Sequence, residues 1–125
     1  MNNSELTSFI NNWLEAWTIQ DIEKLLAFYS EDMKYLDPNT RGLIEGREAF
    51  RNYLGKLFAA WPKMSWHAKV IFTHADGVGY TVTWRAEITK PDGQILKLDG
   101  MDLVFIEDGK ITRNEVYFDR SSLMK

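Results

Sequence analysis

The stretch Ile95–Asp119, ILKLDGMDLVFIEDGKITRNEVYFD, predicts two antiparallel strands joined by a Gly-containing turn at 107–110. Side chains alternate between the two faces of a strand, so the first strand divides by parity. Its early odd positions carry Lys97 and Asp99, whereas the even positions on either side of Lys97 are leucines. The even face is therefore the predicted inner face of the sheet.

Asp102 lies on that inner, apolar face, and Val104 and Ile106 follow it. A buried acid must be paired or hydrogen-bonded, or else it stays neutral with a raised pKa. Acids placed in this way are candidates for functional sites. A structural role, in which backbone N–H groups or a neighbouring cation satisfy the carboxyl, is an equally good interpretation of the pattern alone.

The composition of the 125 residues excludes several classes of protein. The net charge is only −3 and no basic block is present, so we expect no nucleic-acid partner. The chain has no cysteine, and His67 and His74 belong to no cluster with ligand spacing, so we predict no metal site. No signal peptide and no stretch of membrane-spanning length is visible. We therefore expect a cytoplasmic protein with no membrane partner.

Apolar residues at helical spacing predict three helices. They cover Ser4, as N-cap, to Trp17; Asp21, as N-cap, to Tyr29; and Arg47 to Ala60. The second helix is expected to end at Ser30-Glu31-Asp32.

Alternation and turn residues predict the strands. They cover Met33–Asp37, Met64–Thr73, Val78–Thr89 and the two strands of the opening stretch, and the loop 39–46 can hold a short strand near Leu43. In the strand from Met64, the residues Met64, Trp66, Ala68, Val70 and Phe72 are predicted to share one face. Asp119 can cap a terminal turn beginning near Ser121.

The order of these elements predicts the class of fold. Helices followed by a run of antiparallel strands indicate one α+β domain over residues 1–125, with helices packed on one face of a curved sheet. A strongly bent sheet closed by helices leaves a conical cavity, and pockets favour such places.

By parity, several polar and aromatic residues should face this cavity. They are Tyr35, Asp37, Tyr80, Trp84, Asp102, Asn114 and Phe118. Two carboxylates in an apolar site can take different roles, one as an ionised base and one as a neutral hydrogen-bond donor. Asp37 can instead satisfy loop N–H groups beside Pro38, and Asn114 can be a structural amide. The helical spacing of Trp13 and Trp17 is also typical of core residues.

Taken together, these stretches resemble the nuclear transport factor 2-like superfamily, and within it the ketosteroid isomerase and SnoaL-like polyketide cyclase group. The resemblance covers essentially the whole chain. It is carried by Trp13-Leu14-Glu15-Ala16-Trp17 with Asp21, by 28–32, by Tyr35-Leu36-Asp37-Pro38, by 46–50, and by Gly109-Lys110-Ile111 with Tyr117-Phe118-Asp119. It implies a cystatin-like α+β roll, a cone-shaped and mostly antiparallel sheet with three helices on its concave face. The fold hosts enzymes, binding modules and assembly domains alike.

The resemblance also implies roles for particular residues. Asp37 before Pro38 resembles the isomerase general base. Asp102 resembles the neutral acid of the isomerase oxyanion hole, a carboxyl whose pKa is raised by its apolar surroundings. Trp13 stands where the isomerase has a tyrosine, and an indole donates one hydrogen bond but does not titrate like a phenol. Cyclase-like relatives use a late-strand acid, for which Asp102 or Asp119 is a candidate. The epoxide hydrolases of this fold need an inward arginine, and parity places Arg85 outside.

These observations favour a cofactor-independent proton-transfer enzyme, of isomerase or cyclase type, acting on a small apolar carbonyl compound. Asp37 and Asp102 are the predicted catalytic residues. The predicted substrate-binding residues are Trp13, Tyr35, Tyr80, Trp84, Asn114 and Phe118. The alternatives are a non-catalytic module that holds an apolar ligand and a dimerisation domain with an incidental cavity. The family and the outer-face residues Met101 and Tyr117 suggest a homodimer.

Overall fold

The computed structural model describes residues 1–119 and 121, and within them the chain forms three helices and six strands. The helices are α1 (Asn3–Ile19), α2 (Ile22–Leu26) and α3 (Arg47–Ala60). The strands are β1 (Tyr29–Leu36), β2 (Ile44–Glu45), β3 (Met64–Thr73), β4 (Gly79–Thr89), β5 (Ile95–Glu107) and β6 (Lys110–Phe118). No helix of this described part is long and apolar enough to cross a membrane.

The six strands of the described residues form one curved, open sheet in the order β2-β1-β6-β5-β4-β3. All neighbouring strands pair antiparallel except β1 and β6, which pair parallel. The predicted α+β architecture, with helices on a mostly antiparallel sheet, is confirmed. The predicted bounds of α3 and β3 are also confirmed.

The hairpin of β5 and β6 sets the inner face, as its alternation predicts. Asp102 lies opposite Val82 of β4 and Val116 of β6, and Asn114 lies opposite Val104. Asp102, Val116 and Asn114 are all buried. The chain reverses through Asp108 and Gly109, which both adopt positive φ, a conformation that glycine reaches without steric cost.

A cluster of rings joins the helices to this face. Phe50 of α3 is buried, with ring centroids 4.6 Å from Tyr35 and 4.9 Å from Tyr29. Trp17 of α1 packs edge-on against Phe50 at 6.3 Å. The helix stripes predicted from apolar spacing therefore point into one shared core.

Two helix boundaries differ from the sequence prediction. The N-cap of α1 is Asn2 and not Ser4, because the Asn2 side chain accepts from the Glu5 N–H and Glu5 accepts from the Asn2 N–H. This is a capping box that begins two residues earlier than the pattern suggested. The second helix ends at Leu26, and Tyr29, predicted to be helical, starts β1. Its spacing suits a helix, but its backbone pairs with Ile111 of β6.

The outer half of β3 also differs from the prediction. The register of β3 against β4 shifts between Ala68 and Val70, and such an irregularity re-aims the side chains that follow. Val70 and Phe72 are accordingly 48 % and 55 % exposed, although alternation had placed them with buried Met64. Asp119 accepts from the Ser121 N–H at 3.0 Å, and the rest of the predicted terminal turn lies outside the described residues.

The outer face of the sheet carries exposed apolar side chains, among them Tyr117 at 47 %. It also carries the charged pair Arg85–Asp99, with N–O distances of 2.8 Å. The arginine is therefore on the outer face, as parity predicted. The homodimer stays a prediction.

Replacing Phe50 by alanine should lower the free energy of unfolding by about 3–5 kcal/mol, since it opens a cavity among packed rings. The matched Phe72→Ala change removes an exposed ring and should cost less than about 0.5 kcal/mol. Urea denaturation followed by circular dichroism measures both. Equal losses in the two variants would contradict this description of the core.

Candidate active site

A cavity lies between the helices and the inner face of the sheet, and both predicted catalytic acids line it. The space open to water-sized molecules is about 40 Å³, which is room for a few waters. Much of its wall is aromatic, formed by Trp13, Trp17, Tyr35, Trp61, Trp66 and Phe118. Its polar wall is formed by Asp37, Asn39 and Asp102. The site is thus a small apolar space with carboxyl groups from two strand regions.

The Asp102 carboxyl is buried and receives one hydrogen bond on each oxygen. The Trp84 Nε1–H donates to Oδ1 at 2.7 Å, and the Asn114 Nδ2–H donates to Oδ2 at 2.8 Å. Burial away from water raises the pKa of Asp102 to about 7, while the Asn114 and Trp84 hydrogen bonds act in the opposite direction and the charge of Asp37 adds to the rise. A carboxyl with this pKa can bind or release a proton at neutral pH.

A buried chain of side chains leads away from Asp102. The Tyr29 hydroxyl donates to Asn114 Oδ1 at 2.8 Å and accepts from the Trp13 Nε1–H at 3.1 Å. All of these residues are buried. Burial raises the pKa of Tyr29 well above its ordinary value, so its hydroxyl keeps its proton.

Gly100 makes room for the indole that donates to Asp102. A Cβ at this position would stand 2.5 and 2.6 Å from ring carbons of Trp84 and 2.8 Å from the Tyr117 carbonyl oxygen. Gly100 and Trp84 are register partners on β5 and β4. The glycine therefore allows the Trp84 ring to lie over the β5 backbone and reach Asp102 two residues further on.

The Asp37 carboxyl accepts four hydrogen bonds. The N–H groups of Asn39 and Thr40 donate to Oδ1 at 2.7 and 3.0 Å. The hydroxyls of Tyr35 and Tyr53 donate to Oδ2 at 2.8 and 2.5 Å. A carboxylate has about four lone-pair sites, so the protein already uses its acceptor capacity. The turn-forming role is thus realised beside Pro38.

The two tyrosines at Asp37 stay protonated. Burial, followed by the negative charge of Asp37, raises the pKa of Tyr35 well above its ordinary value. The same two causes act in the same order to raise the pKa of Tyr53. Both hydroxyls are therefore neutral donors to Asp37.

The structure divides the predicted substrate-binding residues into two groups. Trp13, Tyr35 and Phe118 line the cavity. Tyr80, Trp84 and Asn114 are not among the side chains that line it, and their contact with a substrate stays a prediction. They lie behind the wall, where Trp84 and Asn114 hold Asp102. Asp119, the other late-strand acid, is exposed and does not line the cavity.

Sequence reasoning missed several residues of this site. Tyr53 on α3 reaches Asp37, and Trp61 and Trp66 line the cavity. Tyr53 belongs to the inner stripe of its helix, but no local pattern links it to Asp37, the residue that follows β1. Tyr29 was assigned to a helix, which hid its position beside Asn114. Trp66 was placed on the inner face by alternation, and that was the available signal.

In the residues that the structure describes, no group of three or more His, Asp or Glu side chains could hold a metal ion. The absence of a cofactor stays a prediction.

The chain belongs to the family of SnoaL-like domains, whose profile matches residues 10–114. No curated protein matches it. The predicted membership in the SnoaL-like group is confirmed. Solved structures described as NTF2-like or as ketosteroid isomerase-like share the fold of this chain.

Several solved structures share the fold. TerC co-crystallised with polyporic acid is 21 % identical, with a TM-score of 0.82 over 94 % of both chains. SalBIII, an epoxide hydrolase/cyclase-like enzyme with a role in pyran ring formation in the polyether salinomycin, is 19 % identical. Its TM-score is 0.82 over 97 % of this chain and 95 % of its own. A protein of ketosteroid isomerase-like fold from Catenulispora acidiphila, in complex with trimethylamine, is 17 % identical, with a TM-score of 0.80 over 91 % and 87 %. At these identities the likeness shows the shared fold.

Gly100→Ala should displace the Trp84 ring and break its hydrogen bond to Asp102. The expected loss is about 1–3 kcal/mol of unfolding free energy, the usual cost of overpacking. Gly55→Ala is the matched control, since a Cβ at Gly55 meets nothing within 4 Å and alanine in a helix is favoured by about 0.5–1 kcal/mol. Urea denaturation compares the two. A neutral Gly100→Ala would show that Trp84 does not depend on this glycine.

The raised pKa of Asp102 also predicts how stability depends on pH. The folded state holds this proton up to about pH 7, whereas the unfolded carboxyl releases it near 3.8. The stability that Asp102 contributes is therefore fully present below the pKa of the unfolded state. It is lost as the pH rises through the pKa of the folded state. The expected loss is on the order of 4 kcal/mol.

Asp102→Asn should remove this decline, because it removes the titrating group. The exposed Asp99→Asn variant should keep it. Urea denaturation of the three proteins from about pH 4 to about pH 8 measures the difference. Parallel curves for wild type and Asp102→Asn would mean that Asp102 does not hold a proton in the folded state.

Proposed function

We propose that the protein is a cofactor-independent proton-transfer enzyme, of isomerase or cyclase type, that acts on a small apolar carbonyl compound. The observation that carries this proposal is the Asp102 carboxyl, which lines an aromatic cavity with a pKa of about 7. A group with a pKa near the working pH is the best compromise between being in the right protonation state and driving proton transfer. Membership in the SnoaL-like domain family supports the reaction class.

Asp102 acts in this proposal as both base and acid. Ionised Asp102 takes a proton from the carbon beside the carbonyl group, so that a C–H bond breaks and a carboxyl O–H bond forms. The neutral acid then returns the proton to another atom of the same substrate. No electron acceptor or metal enters the balance of this reaction.

Asp37 takes a different role from the one implied by the resemblance. Its two oxygens already accept hydrogen bonds from two hydroxyls and two backbone N–H groups. Its acceptor sites are therefore already occupied by the protein, and a substrate proton could be accepted only with the loss of one of these hydrogen bonds. Asp37 instead holds Tyr35 in the wall, and its charge raises the pKa of Asp102.

Trp66 supplies the remaining polar contact in this proposal. Its Nε1–H is buried and has no hydrogen-bond partner in the described part of the chain, and the residue lines the cavity. A buried donor without a partner costs about 1–3 kcal/mol. A substrate carbonyl oxygen would satisfy it, and the same hydrogen bond would stabilise the developing oxyanion.

The mostly apolar and aromatic wall of the cavity suits a second candidate equally well, a non-catalytic binding module. A space of about 40 Å³ admits only a very small molecule unless rings of the wall move. Binding of an apolar ligand needs no group that titrates at neutral pH, so proton exchange separates the two functions.

Exchange of the α-hydrogens of a very small ketone, acetone, in D₂O tests the proposal by proton NMR. The wild type should accelerate exchange, with a rate that rises with pH through about 7 as Asp102 ionises. Asp102→Asn should lose about 10²–10⁴-fold in rate, the usual contribution of general acid–base catalysis.

Asp37→Asn should keep a pH-dependent rate, because the titrating Asp102 is intact. Its midpoint should lie below that of the wild type, because the charge that adds to the pKa of Asp102 is removed. Asp99→Asn, on the outer face, is the control for charge removal alone. Equal exchange by wild type and Asp102→Asn would refute the assignment. No acceleration by the wild type would favour the binding module.

A further inference from the structure

The chain of hydrogen bonds behind Asp102 has a direction, and Trp13 sets it. An indole N–H can only donate, so the oxygen of Tyr29 must be the acceptor of the 3.1 Å bond between them. Tyr29 has one hydroxyl proton left to donate, and its oxygen lies 2.8 Å from Asn114. The atom of Asn114 that faces Tyr29 is therefore the carbonyl Oδ1, and the NH₂ group faces Asp102.

Two further contacts agree with this orientation of the amide. Asn114 Nδ2 lies 2.8 Å from Asp102 Oδ2 and 3.5 Å from the Leu103 carbonyl oxygen, and both partners accept. On the other side of the carboxyl, Trp84 Nε1 can only donate, and it does so at 2.7 Å. Both protein neighbours of Asp102 are therefore donors.

A protonated Asp102 has an O–H that neither neighbour can accept. Trp84 has no acceptor atom on its indole, and the oxygen of Asn114 is occupied by Tyr29. The cavity, which Asp102 lines, is the remaining direction. We infer that Trp13 and Tyr29 are positioning residues: they lock the Asn114 amide as a donor and so direct the Asp102 proton into the cavity.

This inference rests on the proposed function, because it explains how the acid–base group presents its proton. It adds two residues that act only through Asn114. Tyr29 does not line the cavity, whereas Trp13 does, so Tyr29 gives the cleaner test.

Loss of the lock should change the acidity of Asp102. In Tyr29→Phe, no hydroxyl donates to Asn114 Oδ1, and the amide is free to turn over. Its oxygen can then accept the proton of neutral Asp102. Hydrogen bonding to the neutral form, in place of a bond to the charged form, raises the pKa of a carboxyl.

Other titratable groups near Asp102 do not compete with this effect. The hydroxyls of Tyr29, Tyr35 and Tyr80 have pKa values raised well above the ordinary value, mainly by burial. They stay neutral over the range in which Asp102 titrates. Asp37 supplies the one charge that acts on Asp102, and Tyr29→Phe leaves the partners of Asp37 in place.

The test is a pH titration of protein labelled with ¹³C at the aspartate carboxyl carbons, followed by NMR. Tyr29→Phe should raise the midpoint of Asp102 by about one pH unit, a tenfold weaker acid. Trp13→Phe should shift it in the same direction, since it frees the Tyr29 oxygen to accept from a turned amide. Tyr80→Phe is the matched control, because the buried Tyr80 hydroxyl has no hydrogen-bond partner within the described residues. Its midpoint should equal that of the wild type.

A second measurement needs no substitution, so it holds even if Tyr29→Phe fails to fold. Nuclear Overhauser contacts of the Asn114 NH₂ protons in the wild type report which way the amide faces. They should be to the Asp102 and Leu103 side, and not to the Tyr29 hydroxyl side, at pH values about two units below and above the midpoint.

An amide that turns over as Asp102 gains its proton would overturn the inference. Midpoints for Tyr29→Phe and Trp13→Phe that match Tyr80→Phe would also overturn it. Neither measurement uses a substrate, so the inference can fail while Asp102 stays catalytic. The proposed function can likewise fail while the lock is demonstrated.

Discussion

The burial of one carboxyl group, Asp102, constrains much of this structure. Its charge is costly in an apolar surrounding, and two N–H donors only partly compensate that cost. The result is an acid that is neither fully stabilised as an anion nor excluded from ionising at neutral pH. The two donors depend on their own surroundings. Gly100 leaves room for the Trp84 ring, and the Asn114 amide is oriented with its NH₂ group toward Asp102.

The partners of Asp102 come from separate parts of the chain, and the sheet brings them together. Trp84 is on β4 and Asn114 is on β6, the two neighbours of β5. Tyr29 reaches Asn114 because β1 pairs parallel with β6, on the side of β6 opposite to β5. α1 then places Trp13 over Tyr29. A change in any one register would remove a donor, so the acidity of Asp102 depends on the fold as a whole.

The sequence predicted those features that depend on local periodicity. Alternation along β4, β5 and β6 identified the inner face, including Asp102 and Asn114, because a strand has a period of two. It failed where a distant partner decides the conformation. Tyr29 fits a helical stripe, yet pairing with Ile111 makes it a strand residue. The contact of Tyr53 with Asp37 joins a helix to a strand end, and no spacing in the sequence encodes it. The irregularity after Ala68 likewise appears only in the pairing with β4.

The two acids of the cavity show how environment separates identical groups. Asp37 lies at a strand end, where loop N–H groups and hydroxyls are available, and it accepts four hydrogen bonds. Asp102 lies in mid-strand, where its neighbours' backbone groups are used by the sheet, and it receives two. The negative charge of one carboxylate disfavours a second charge nearby. Asp37 therefore acts on Asp102 through its charge, which adds to the rise that burial causes in the pKa of Asp102.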